Sequence, residues 1–64
     1  MIRHEIAKEM RDVANLLVAQ KDHRNALVAH RIARLLLTGE VSANTGIREL
    51  ARYELIARAA SNRG

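Results

Sequence analysis

The chain has 64 residues, with no Cys, Pro, Trp or Phe, while Ala (11) and Arg (9) are its most conspicuous residue types. The absence of Cys excludes disulfides and thiolate metal sites, and a 48% apolar fraction is too high for a disordered segment of low hydrophobicity. The net charge of +4 is unevenly spread: residues 1–22 balance Arg3, Lys8, Arg11 and Lys21 against Glu5, Glu9, Asp12 and Asp22, so the excess falls on residues 23–64.

The first predicted element is a helix over residues 2–20. Ile2, Ile6, Met10, Val13 and Leu17 recur at steps of four and three, with Ala14 and Val18 widening the stripe, which is the period of an amphipathic helix. The polar and charged residues Arg3, His4 and Glu5 interrupt the start, so there is no continuous apolar stretch of a secretory signal. No apolar run, Leu35-Leu36-Leu37 included, approaches the roughly 20 residues that span a bilayer. The expectation is a protein of the cytoplasm or of an intracellularly assembled particle, without a membrane partner.

The polar run Gln20-Lys21-Asp22-His23-Arg24-Asn25 then breaks the stripe without Gly or Pro. Asp22 at a helix N-cap would give a helical hairpin. One continuous helix from Ile2 to Thr38 is the alternative, since Leu17 and Val28 lie eleven residues apart, about three turns, and keep the stripe in phase. The hairpin is preferred because a compact chain needs a place to fold back. A second helix over 22–38 carries a faint seven-residue repeat, with His23 above His30, Arg24 above Arg31 and Val28 above Leu35. Thr38-Gly39 ends it, Gly taking the left-handed position. After a polar loop, Asn44 or Thr45 is expected to cap a third helix over 45–60, lined by Ile47, Leu50, Ala51, Ile56 and Ala57 and broadened by Tyr53 and Leu55. Glu54 and Arg58 stand at a favourable i,i+4 spacing.

The expected fold is therefore all-α: a small three-helix domain, or a hairpin plus a third helix, over residues 1–64. Its single core is aliphatic, and a chain this short buries too little surface to be secure alone, so association is expected to complete it. Leu17, Leu27, Leu36, Leu50 and Ile56 are the expected core or interface residues.

No catalytic constellation emerges. His4-Glu5 opens like a zincin motif, but Lys8 stands where the second His is needed. His23 and His30 are separated by about 10 Å of helical rise, too far to share one metal within a chain. The glycines of Gly39-Glu40-Val41-Ser42-Ala43-Asn44-Thr45-Gly46 suggest a phosphate loop, yet Ile47 and Arg48 follow where Lys and Ser or Thr are required; turn chemistry accounts for both glycines. The same connection exceeds the three or four residues of a helix-turn-helix. With one aromatic, Tyr53, base stacking is also poorly served.

What remains is a set of arginines, Arg24, Arg31, Arg34, Arg48 and Arg52, suited to bidentate contacts with carboxylate or phosphate. The expectation is a non-enzymatic interaction protein, without cofactor or small-molecule substrate, working inside a larger assembly. That assembly would be a homo-oligomer or a multi-protein particle such as a phage virion. The alternative is a small basic DNA- or RNA-binding regulator acting as a dimer.

Overall fold

The computed structural model describes residues 2–62 of the chain. These form three helices, α1 (Arg3–Ala19), α2 (His23–Thr38) and α3 (Ala43–Asn62), and no strand. Residues 2–38 are thus two helices, and the single-helix alternative does not hold. The break is made by backbone geometry. Lys21 adopts the left-handed conformation at φ 66°, its N–H donating to the Val18 carbonyl (2.9 Å) and that of Asp22 to Leu17 (2.8 Å). These bonds satisfy the last carbonyls of α1 in a Schellman-type end, with Lys where Gly is usual. Asp22 then begins α2, its carboxylate accepting from the Asn25 side-chain amide at 2.8 Å and, more weakly, the Asn25 N–H at 3.4 Å.

The end of α2 repeats the device with the expected residue. Gly39 sits at φ 84°, and the N–H groups of Gly39 and Glu40 donate to Leu36 (3.3 Å) and Leu35 (2.9 Å). The third helix departs from expectation. It starts at Ala43, and its cap is Ser42, whose Oγ accepts from the Thr45 N–H at 3.2 Å while its carbonyl receives Gly46 N–H at 2.9 Å. Asn44 and Thr45 lie inside the first turn. Three polar residues close together offered three caps, and the one nearest Gly39 wins because Val41 tucks half-buried against the core and leaves room for little more loop.

Packing is led by α1, which meets α2 along its length and α3 less extensively; α2 and α3 touch only over a short stretch. Small residues permit the close hairpin: Ala7 and Ala14 on α1, and Ala26, Ala29 and Ala33 on α2, are all buried. Ile6, Met10, Val13 and Leu17 from α1, Leu36 from α2, and Leu50, Tyr53 and Ala57 from α3 complete the core, and no polar or charged side chain is buried among the described residues. Both ends of α3 are tied to the hairpin. At its start, Gly46 lies so close that a Cβ there would stand 2.6 Å from Leu36 Cδ2 and 3.2 Å from Ile6 Cγ2. Gly46 lies in the first turn of α3, and what requires glycine there is this close approach rather than turn chemistry. Near the other end, Gln20 Nε2 donates to the Ala57 carbonyl and to Ser61 Oγ, each at 2.9 Å.

The face of α3 also differs from the sequence-based one. Its buried stripe is Gly46, Leu50, Tyr53 and Ala57, at steps of four, three and four. Ile56 is half-buried, and Ile47 and Leu55 are exposed. The helix is rotated so that its smallest residue, rather than Ile47, meets Ile6 and Leu36. Among the described residues the one ion pair is Arg52 with Glu49 at 3.8 Å, so Glu54 and Arg58 do not form the expected bridge.

Candidate interaction surface

The core leaves several large aliphatic side chains in solvent: Leu27 (69% exposed), Leu55 (61%), Ile2 (55%) and Leu37 (54%), with Leu16, Val18, Val28 and Ile47 less so. Exposed single leucines are ordinary; what matters is their company. Leu27 is one of the five residues expected at a core or interface, and it lies outside this core. At about 100° per residue it falls on the face of α2 opposite the buried Ala26-Ala29-Ala33-Leu36 stripe. Alanines occupy the inner face because α1 and α2 approach too closely for leucines there. Of the other four, Leu17 and Leu36 are fully buried, Leu50 is buried and Ile56 half-buried.

The structure brings three of the five named arginines to one place. Arg24, Leu27, Arg31 and Arg34 stand at successive steps of three, four and three, along the outward side of α2. A shallow hollow on this side is lined by Leu27, His30, Arg31 and Arg34. His30, placed by the seven-residue repeat one step beyond His23, is half-buried at its edge. No Asp or Glu lies anywhere in His23–Thr38, and none of the three arginines has an ion-pair partner among the described residues. Their like charges therefore repel without compensation, which an anionic partner would relieve.

Arg48 and Arg52 do not join them. They occupy the outward side of α3 with Leu55, and Arg52 is already engaged, paired with Glu49 and placed with its guanidinium carbon 5.8 Å from the Tyr53 ring centroid. A second concavity, lined by Ile2, Arg3, His4, Leu36, Leu37, Ser42 and Ala43, lies where α1 and α3 begin and α2 ends. Among the described residues no group of three His, Cys, Asp or Glu side chains could hold a metal ion, and no helix is long and apolar enough to cross a membrane.

A further feature of the surface is visible only once the helices are placed. Glu5, Glu9, Asp12 and Leu16 are all exposed and share one flank of α1, a quarter turn from Ile6, Met10, Val13 and Leu17 and across the helix from the buried Ala7 and Ala14. Balanced charge over residues 1–22 conceals this segregation, although the spacing of four, three and four is in the sequence.

No protein family, curated protein or solved structure matches the chain.

Proposed function

We infer that the chain is a non-enzymatic helical interaction module that binds a protein surface within an assembly, and that the outward face of α2 is its main contact. The observation that carries this reading is Leu27, 69% exposed in the middle of Arg24, Arg31 and Arg34. Phosphate binding would account for the arginines but gives no role to a leucine at the centre of the patch. A protein interface uses both: an apolar anchor whose full burial contributes about 1.5–3 kcal/mol, ringed by charges that set orientation and partner. Arginine suits such a rim because its fork pairs bidentately with carboxylates.

The competing reading, a DNA- or RNA-binding regulator, draws on the same three unpaired arginines. Light scattering on the eluting chain, at low and physiological salt and with and without duplex DNA and RNA, separates the two. The expected result is a mass above the 7.2 kDa of one chain, unaffected by nucleic acid. Binding to duplex DNA whose log affinity falls against log salt at about −0.9 per phosphate contact, lost on Arg31→Glu with the mass unchanged, would replace this reading with the regulator.

A further inference from the structure

The protein surface that best fits the α2 face is present on the chain itself. On α1 the exposed series Glu9, Asp12, Leu16 advances by three and then four residues; on α2 the outward series Leu27, Arg31, Arg34 advances by four and then three. Read in opposite directions the two series coincide, so antiparallel helices align Leu16 with Leu27, Asp12 with Arg31 and Glu9 with Arg34. Each helix brings its apolar residue and its two charges at the same intervals. The pairing opposes an apolar residue of 46% exposure to one of 69%, and two carboxylates to two guanidiniums.

These partners do not meet within one chain. None of Glu9, Asp12, Arg31 and Arg34 forms an ion pair among the described residues; the α1 stripe lies across its helix from the buried Ala7 and Ala14, and the α2 stripe across from the buried Ala26, Ala29 and Ala33. Yet they stand at matched heights. Leu16 is three residues from the end of α1 at Ala19, and Leu27 four from the start of α2 at His23, a difference of one residue's rise, about 1.5 Å. The same holds for Asp12 with Arg31 and for Glu9 with Arg34. The α1 of a second copy can therefore lie antiparallel along the first copy's α2 in this register.

We propose that the α2 face of one copy binds the α1 face of the next, through Leu16–Leu27, Asp12–Arg31 and Glu9–Arg34. This rests on the reading of the chain as an interaction module and names its partner as a second copy. The two halves of the contact differ, so it is heterologous and repeats head to tail, as a ring or an open filament. Two α2 faces cannot pair with each other, since that would oppose arginine to arginine. The outward side of α3 is a weaker match for the acidic stripe, because Arg52 already holds Glu49 and leans on Tyr53.

Charge reversal tests the register. Asp12→Arg and Arg31→Glu each place like charges together at every contact, and each variant alone should associate about tenfold to a thousandfold more weakly than the parent chain in sedimentation or light scattering. Mixed one to one, the two variants should assemble again. The introduced arginine of one variant then faces the introduced glutamate of the other, and the parent pair Asp12–Arg31 forms at the alternate contacts. Circular dichroism of each variant confirms that the helices persist. Recovery on mixing cannot arise from misfolding or from a general loss of charge.

A parent chain that stays monomeric at millimolar concentration overturns the proposal. So does association that survives both single reversals, or that is lost to Arg48→Glu and Arg52→Glu instead; these two outcomes leave the interaction-module reading standing. A monomer that binds duplex DNA with steep salt dependence removes that reading as well.

Discussion

Lys21 occupies a backbone position suited to glycine. A non-Gly residue in the left-handed region suffers a Cβ clash costing roughly 1–2 kcal/mol, and here the Schellman bonds of Lys21 and Asp22 hold it there. Lys21→Gly removes the clash but loosens the unfolded chain, which offsets part of the gain. The expected net result is stabilisation by about 0.5–1 kcal/mol, seen as a higher urea midpoint with an unchanged m-value; an unchanged or lower midpoint would show that the turn is not strained. Gly46 presents the opposite case. Alanine there gains roughly 0.8–1 kcal/mol of helix propensity, but its Cβ would meet Leu36 Cδ2 at 2.6 Å, and Leu36 is fully buried with nowhere to move. Overpacking costs about 1–3 kcal/mol, so Gly46→Ala should destabilise overall, and a gain in melting temperature would mean that α3 slides away freely. Neither residue announces its role in the sequence. A lysine carries no turn signal, and a glycine between polar loop residues and a helix invites a turn assignment.

At the scale of helices, the legible part was whatever large residues decided alone. In α1, Ile6, Met10, Val13 and Leu17 have no apolar rivals of similar size on another face as a set, and they are buried as the periodicity indicates. In α2 the rivals exist: Leu27, Val28, Leu35 and Leu37 compete with an alanine stripe, and hydrophobicity ranks the leucines first. Close helix approach reverses the order, since the smallest side chains let the two backbones near each other while Leu36 alone fills the remaining space. The same inversion hides the inner face of α3, where Gly46 and Ala57 are buried and Ile47 and Leu55 are not. Two substitutions of one kind should therefore separate sharply. Leu36→Ala removes a fully buried side chain and should cost about 2–5 kcal/mol. Leu27→Ala should leave the stability of the dilute, unassociated chain within about 0.5 kcal/mol while weakening association. Equal losses in a dilute melt would place Leu27 inside the fold and remove the basis for treating α2's outer side as a contact surface.

For the molecule as a whole, the principal-axis extents of 36 × 17 × 14 Å explain why sequence periodicity indicated helices better than surfaces. With only three helices, none is enclosed by neighbours, so every helix keeps a broad face in solvent. An apolar residue on such a face scores like a core residue until the neighbouring helices are placed. The charge pattern behaves similarly: the acidic residues of α1 offset its basic ones in number, yet Glu5, Glu9 and Asp12 share one exposed flank of the helix. A small chain with an acidic stripe on α1 and a basic one on α2 should draw stability from its neighbours. Association adds RT ln(1 + [L]/Kd) to the stability of the folded form, about 2.7 kcal/mol at a hundred times Kd, and for a domain near this size that raises the melting temperature by roughly 10–20 °C. The melting temperature should therefore climb with protein concentration. The climb should shrink as salt is added, because Asp12–Arg31 and Glu9–Arg34 would lie near the rim of a narrow contact, where a screening length of about 8–10 Å acts on them. An equimolar mixture of Asp12→Arg and Arg31→Glu chains should recover the concentration dependence that each lacks alone. Calorimetry across a wide concentration range decides the matter: a sharp transition at one temperature throughout would show that the chain is stable without neighbours, and that its flanking stripes meet only water.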